Sequence, residues 1–109
     1  MAEIVTVNDL RAAGEGSAPP VLVDTLPAEV FARGHLPGAV NIRSDDTLER
    51  APQMLPDRNA EIVVYCASPR CNRAEKTAPR LEILGYTRVR HFEGGKEAWR
   101  DAGLPVVTG

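Results

Sequence analysis

The chain has 109 residues, of which 43% are hydrophobic and 26% are charged, and its formal net charge is −2 at pH 7. A chain of this size can bury one hydrophobic core, so the sequence predicts a single domain over residues 1–109. The weak negative charge gives no general attraction to nucleic acid or to an anionic membrane, and neither is expected as a partner. No apolar run is long enough to span a bilayer. Residues 1–4 lack the basic and apolar segments of a signal peptide, so a cytoplasmic location is expected.

Short β-branched runs alternate along the chain with segments of helical periodicity, which is typical of an α/β domain with a mostly parallel sheet. Continuous apolar runs predict buried parallel strands. A capping-box pattern from Thr6 to Asp9 predicts the start of the first helix, and residues 15–20 form a Gly-, Ser- and Pro-containing loop. The predicted strands lie at 4–5, 21–23, 39–42, 61–65 and 88–92, and the predicted helices cover 6–14, 27–34, 44–55, 74–84 and 96–102.

Two of the predicted helices contain an interior proline. Pro52 interrupts the segment 44–55, and Pro79 lies within the segment 74–84. An interior proline removes one helical hydrogen bond and costs about 3 kcal/mol. The fourth helix is therefore expected either to kink at Pro79 or to begin later than its pattern indicates.

The two cysteines of the chain, Cys66 and Cys71, lie five positions apart with Pro69 between them. They do not make a disulfide framework, and in a reducing compartment both are expected to be thiols at rest. Each is then a reactive thiol, a metal ligand or an inert core residue. A metal site is disfavoured because His35 and His91 are not placed in a recognisable ligand pattern. No metal or other cofactor is expected.

Cys66 directly follows the predicted strand 61–65 and precedes a helix. In parallel sheets, ligands bind beyond the carboxyl ends of the strands, and loop N–H groups together with a helix N-terminus bind anions. Such a position favours the thiolate, so we expect Cys66 to be the catalytic nucleophile. Arg70 and Arg73 add positive charge and donors for an oxyanion such as thiosulfate or phosphate. The predicted substrate-binding residues are Ala67, Ser68, Pro69, Arg70, Cys71, Asn72 and Arg73.

Other interpretations of these residues stay open. From its position alone, Cys66 is equally well a small buried hydrophobe that ends a core strand. Cys71 is a resolving thiol that attacks a persulfide or mixed disulfide on Cys66, a second sulfur acceptor, or an inert residue. His35 is expected to be structural and His91 to be exposed. Asp24, at the end of the second strand, can accept hydrogen bonds from backbone donors beneath the active loop.

Several short motifs, spread over about residues 6–105, match one known family. They are Val23-Asp24, Gly34-His35-Leu36-Pro37-Gly38-Ala39-Val40-Asn41-Ile42, Val64-Tyr65-Cys66, Leu84-Gly85-Tyr86, Glu93-Gly94-Gly95 with Trp99, and Gly103-Leu104-Pro105. Together they resemble the rhodanese homology domain. The resemblance implies a mostly parallel sheet of about five strands with helices on both faces. It also implies a sulfurtransferase in which a cysteine persulfide carries sulfane sulfur from a donor to a thiophilic acceptor.

The resemblance also assigns roles by position. Cys66 matches the family nucleophile, Arg73 matches the arginine that closes the active loop, and Asp24 matches the supporting acid at the end of the second strand. The implied donor is a small anion such as thiosulfate, or a persulfide. The implied acceptor is a thiol, cyanide or a protein.

The loop departs from the family pattern, which usually has four residues between the cysteine and the arginine, including a glycine. Here six residues intervene, with Pro69 and Cys71 among them and no glycine. Related cell-cycle phosphatases and arsenate reductases use a loop one residue longer than the sulfurtransferases, and the present loop exceeds both. Loop length therefore leaves a cysteine-dependent phosphatase or arsenate reductase, and a non-catalytic binding module, as alternatives to a sulfurtransferase. The arginine that often follows the Asp24 position by two is Leu26 here.

Overall fold

The structure is a computed structural model that describes residues 3–16 and 18–109. Three residues lie outside the described residues: Met1 and Ala2 of the N-terminal segment 1–4, and Ser17 of the predicted loop 15–20. Within the described residues, no helix is long and apolar enough to cross a membrane. The elements in chain order are β1 (Glu3–Val5), α1 (Val7–Gly14), β2 (Val21–Asp24), α2 (Ala28–Arg33), β3 (Val40–Asn41), a short 3-10 helix (Ser44–Asp46), α3 (Thr47–Met54), β4 (Ile62–Tyr65), α4 (Arg73–Ile83), β5 (Val89–Phe92) and α5 (Gly95–Asp101).

The five strands form one sheet in the order β1-β5-β4-β2-β3, and all four pairings are parallel. β4 is the central strand, and its last residue, Tyr65, lies opposite Asp24 of β2 and Phe92 of β5. Because the strands are parallel, their carboxyl ends meet at one edge of the sheet. The predicted α/β architecture with about five parallel strands is confirmed, and Cys66 leaves the sheet at the middle of that edge.

Successive residues of β4 belong to two different hydrophobic clusters. Ile62 and Val64 lie in a cluster that includes buried residues of α3 and α4, whereas Val63 and Tyr65 lie in one that includes residues of α1 and α5. Successive side chains of a strand point to opposite faces of the sheet. Helices therefore cover both faces, and this burial explains why β4 is apolar at every position.

The local signals for the first helix are confirmed, and those at the two prolines are corrected. The Asp9 N–H donates to Thr6 Oγ1 at 3.2 Å and the Thr6 N–H donates to Asp9 Oδ2 at 2.9 Å, which completes the capping box. α4 begins at Arg73 and continues through Pro79, so the expectation of a late start is wrong. Pro79 and the residue four positions before it are both exposed, so water can reach the carbonyl that loses its helical donor. The segment predicted as one helix, 44–55, is a 3-10 turn followed by α3, which contains Pro52.

Candidate active site

Cys66 lies immediately after the central strand and is only 2% exposed. The chain reverses just beyond it, because the Cys71 N–H donates to the Ser68 oxygen at 3.1 Å and the Arg70 N–H donates to Ser68 Oγ at 3.3 Å. α4 then begins at Arg73. The structure thus has the predicted order of strand, cysteine, loop and helix.

The turn at Ser68 brings the two cysteines together. Their Cα atoms are 6.2 Å apart, and the Sγ atoms of Cys66 and Cys71 are in bonding contact. This Cα separation falls within the range of about 4.4–6.8 Å that is usual for disulfides. The prediction of two separate thiols at rest is therefore wrong for this structure. The prediction failed because the chain reverses at Ser68 and brings the two sulfurs together. The spacing of the cysteines in the sequence does not specify that reversal.

The beginning of the loop is bonded to α5, a contact that the sequence analysis missed. The Lys96 N–H donates to the Cys66 oxygen at 3.0 Å, and the Glu97 N–H donates to the Ala67 oxygen at 2.9 Å. Gly95 allows this approach, because its φ is +62° and a Cβ built on it would lie 2.5 Å from the Cys66 oxygen. The sequence analysis names Gly94 and Gly95 only as part of a family motif. Two adjacent glycines directly before the predicted helix 96–102 were the available signal.

Asp24 is completely buried at the end of β2. Its Oδ1 accepts a hydrogen bond of 2.9 Å from the Leu26 N–H, and its Oδ2 accepts one of 2.9 Å from the Tyr65 hydroxyl. The Tyr65 hydroxyl in turn accepts from the Leu36 N–H at 3.1 Å. Burial raises the pKa of the Asp24 carboxyl, although these two donors act in the opposite direction. Asp24 is therefore bonded to Tyr65, the residue that precedes Cys66, and to the Leu26 N–H. It is not bonded to backbone donors of the Cys66 loop.

Lys96 is a second buried charge near this network, and sequence reasoning did not identify it. The residue is 6% exposed, and its Nζ donates to the Gly34 oxygen at 3.0 Å. Burial lowers the pKa of Lys96, while the Asp24 carboxylate acts to raise it. The two opposite charges favour each other's ionised form. Helix α5 thus carries both the N–H groups that donate to Cys66 and Ala67 and a cation that complements Asp24.

Six of the seven predicted substrate-binding residues lie in one loop and the seventh, Arg73, begins α4, and they differ in exposure. Ala67, Ser68 and Cys71 are half-buried, whereas Pro69, Arg70, Asn72 and Arg73 are exposed. Among the described residues, neither Arg70 nor Arg73 takes part in an ion pair. The N–H groups of Arg70 and Cys71 donate to Ser68 and so are not directed at an anion in this arrangement.

The two histidines behave differently. His35 is buried, stacks on Phe31 and has its Nδ1 2.8 Å from the Phe31 oxygen, as expected of a structural residue. His91 is half-buried rather than exposed, and burial lowers its pKa. It lines a cleft of about 470 Å³ together with Cys71, Glu75 and Glu93. Within the described part of the chain, no group of three or more His, Cys, Asp or Glu residues is arranged to hold a metal ion.

The fold and the cysteine loop agree with a match to a family model, Rhodanese-like domain, over residues 6–102. The chain therefore belongs to the rhodanese-like domain family, and named sulfurtransferases are among its relatives. It is 32% identical over 87 residues to the thiosulfate sulfurtransferase PspE of Escherichia coli, covering 80% of this chain and 78% of that protein. It is 37% identical over 99 residues to an HTH-type transcriptional regulator of Mycobacterium tuberculosis, covering 91% of this chain and 41% of the regulator.

A solved structure supports the same assignment. A thiosulfate sulfurtransferase from Pseudomonas aeruginosa superposes with a TM-score of 0.86 at 29% identity, covering 97% of this chain and 20% of that one. The chain thus spans less than half the length of the mycobacterial regulator and a fifth of the Pseudomonas protein. What the similarity establishes is the rhodanese-like fold.

Proposed function

We propose that this chain is a sulfurtransferase that carries sulfane sulfur as a persulfide on Cys66. The donor is thiosulfate or a persulfide, and the acceptor is cyanide or a thiol, including a thiol of a protein. The observation that carries the proposal is the position of Cys66 at the carboxyl end of the central parallel strand, directly before the loop that leads into α4.

The first half-reaction is a displacement at sulfur. The Cys66 thiolate attacks the outer sulfur of thiosulfate, a new S–S bond forms, and sulfite leaves with the electron pair of the bond that breaks. The second half-reaction repeats this chemistry with an acceptor thiolate or cyanide attacking the outer persulfide sulfur. Cys66 then leaves as the thiolate.

The positive charges around the loop suit the two anionic forms of Cys66, the thiolate and the persulfide. Arg70 and Arg73 are exposed and attract an anionic donor to the loop. α4 has eleven residues, and Asn72, the N-cap residue just before it, makes no side-chain capping bond. The first N–H groups of α4 are therefore not occupied by a capping side chain, and the positive end of the helix favours a thiolate or persulfide anion nearby.

Sulfite release tests the proposal directly. Protein reduced with a dithiol, which is then removed, is offered thiosulfate, and sulfite is measured; cyanide is added to a second sample and thiocyanate is measured. We expect Cys66→Ser to abolish both products. In parallel, the protein is offered an aryl phosphate and arsenate. Phosphate hydrolysis or arsenate reduction without sulfite release would reject the sulfurtransferase in favour of those enzymes, and inertness to every donor would favour a binding module.

A further inference from the structure

We infer that Cys71 is the resolving thiol of this site and converts the Cys66 persulfide into hydrogen sulfide and a Cys66–Cys71 disulfide. The inference rests on the proposed function, because it begins from a persulfide on Cys66. Its structural basis is the bonding contact between the two Sγ atoms, with the Cα atoms 6.2 Å apart. The N–H of Cys71 is bonded to Ser68, so the turn holds Cys71 over Cys66.

The contact favours one direction of attack. Cys71 Sγ touches Cys66 Sγ, which becomes the inner sulfur when Cys66 carries a persulfide. Attack at the inner sulfur expels the outer sulfur as sulfide. Passing the outer sulfur to Cys71 would instead leave no bond between the two cysteines, whereas their Cα separation of 6.2 Å suits a direct disulfide. The geometry therefore favours sulfide release over a relay between the two cysteines.

The resolving step balances without an additional reagent. The Cys71 thiol loses its proton and its thiolate forms the bond to Cys66 Sγ. The bond between Cys66 Sγ and the outer sulfur breaks, and the outer sulfur leaves as HS⁻ with the electron pair. The two cysteine sulfurs are oxidised to the disulfide, and the sulfane sulfur is reduced to sulfide. The cycle is then completed by a dithiol, which is oxidised to its own disulfide.

Access determines where that dithiol attacks. Cys66 is 2% exposed, whereas Cys71 is half-buried and lines the cleft of about 470 Å³ beside Pro69 and Glu75. An external thiolate therefore attacks Cys71 Sγ, and Cys66 is the leaving thiolate. Because attack at a disulfide is governed by which sulfur can be reached, the more accessible Cys71 takes the mixed disulfide and the buried Cys66 returns to the nucleophilic state.

A single-turnover measurement tests the inference. Reduced protein, freed of dithiol in the absence of air, is mixed with one equivalent of thiosulfate and no other thiol. We expect the wild-type protein to release about one equivalent each of sulfite and sulfide and to lose the mass of two hydrogen atoms. Cys71→Ser should release sulfite but no sulfide and should gain the mass of one sulfur atom. Added dithiothreitol should then release sulfide from that variant, which confirms that its persulfide was loaded.

The position of each sulfur can be mapped, because Arg70 separates the cysteines into different tryptic peptides, 59–70 and 71–73. After alkylation and digestion, the inference predicts that these two peptides are joined in the wild-type protein. In Cys71→Ser the extra sulfur should lie on the peptide 59–70. Cys71→Ala serves as a second variant, and the wild-type stoichiometry decides the question even where neither variant folds.

Each contrary outcome has a distinct meaning. Sulfite release with no sulfide, and with the sulfur mass retained on the peptide 59–70 of the wild-type protein, overturns the resolving role but leaves the proposed function intact. Retained sulfur on the peptide 71–73 also overturns it, since Cys71 would then be an acceptor. No sulfite from either the wild-type protein or Cys71→Ser overturns the proposed function, and the inference with it.

Discussion

The main-chain N–H of Lys96 donates a hydrogen bond of 3.0 Å to the main-chain oxygen of Cys66. The residue that ends the central strand is thereby bonded to the first turn of the last helix. A second bond of 2.9 Å, from the Glu97 N–H to the Ala67 oxygen, continues the contact. The start of the active loop is therefore positioned by β4 and α5 together, and Gly95 is the residue that lets them approach.

Gly95→Ala should destabilise the protein and disturb the loop at the same time. The new Cβ would meet the Cys66 oxygen at 2.5 Å, and the φ of +62° is unfavourable for alanine. Strain of this kind costs about 1–3 kcal/mol. We expect a lower free energy of unfolding in urea, together with a lower rate of sulfite release from thiosulfate.

Gly103→Ala is the matched control for that variant. Gly103 also has a positive φ, +77°, but no atom from beyond its two chain neighbours lies within 4 Å of the position of its Cβ. It should therefore show only the conformational cost, about 1–2 kcal/mol, with an unchanged rate of sulfite release from the folded protein. Equal losses of activity in the two variants would contradict the role assigned to the contact between Gly95 and Cys66.

Tyr65→Phe should destabilise the end of the central strand. The hydroxyl donates to Asp24 and accepts from the Leu36 N–H, and all of these groups are buried. Removing it leaves two buried polar groups without this partner, at a cost of about 1–3 kcal/mol. Urea unfolding of Tyr65→Phe, Asp24→Asn and the double variant should give a coupling energy of at least about 0.5 kcal/mol.

The control for this cycle pairs Asp24→Asn with Tyr86→Phe. Tyr86 is also buried, but its hydroxyl donates to the oxygens of Ala51 and Leu55. The loss of unfolding free energy in Tyr86→Phe should therefore add to that in Asp24→Asn, with no coupling energy between them. Equal coupling energies for the two tyrosines would show that the hydrogen bond between Tyr65 and Asp24 is not the cause.

Asp24 should make stability depend on pH in a particular direction. Burial raises its pKa above 3.8, while hydrogen bonds from Leu26 and Tyr65 and the charges of Lys96 and His35 partly oppose the shift. Compared with the unfolded state, the folded state favours the protonated form of Asp24. The stabilisation that Asp24 contributes is therefore fully present below pH 3.8 and is lost as the pH rises through its folded pKa. The unfolding free energy of the wild type minus that of Asp24→Asn should therefore decrease from pH 3.8 upward. A difference that is constant or increases with pH would refute this assignment.

Arg70→Gln and Arg73→Gln should each weaken the binding of an anionic donor. Both side chains are exposed, so each contributes a screened attraction of about 1 kcal/mol or less. This corresponds to a rise of up to about fivefold in KM for thiosulfate, smaller at high salt. Arg11→Gln, which removes an exposed arginine from α1, is the matched control and should leave KM unchanged. A KM equal to the wild-type value in all three variants would show that Arg70 and Arg73 do not take part in donor binding.

Oxidation of the protein should block sulfur uptake reversibly. With Cys66 and Cys71 joined, neither sulfur is a thiolate, so thiosulfate finds no nucleophile. Protein treated with a disulfide-forming oxidant should take up no alkylating groups and release no sulfite, and a dithiol should restore both. Full sulfite release from protein whose two cysteines resist alkylation would contradict this expectation.

Local signals predicted much of this fold. The apolar run of β4 and the capping box at Thr6 each reflect interactions between residues close in sequence, and both are observed. Gly95 and Lys96 were not identified because their importance arises from contacts with Cys66 and Gly34, which lie far away in the chain. The contact between the sulfurs of Cys66 and Cys71 was not predicted, because it depends on a turn at Ser68 that the spacing of the cysteines does not determine.

The two ends of the active loop are anchored separately. α5 holds the oxygens of Cys66 and Ala67, while the Arg73 oxygen accepts hydrogen bonds from the hydroxyls of Ser44, at 3.0 Å, and Thr77, at 2.8 Å. Counted with the cysteine and the arginine at its ends, lengthening a flexible loop from the family's six residues to the eight found here costs only about 0.3 kcal/mol in closure entropy. Between such anchors the interior can gain residues, including a second cysteine, while the flanking strand and helix stay in place. New chemistry can therefore evolve in the middle of this loop without a redesign of the scaffold.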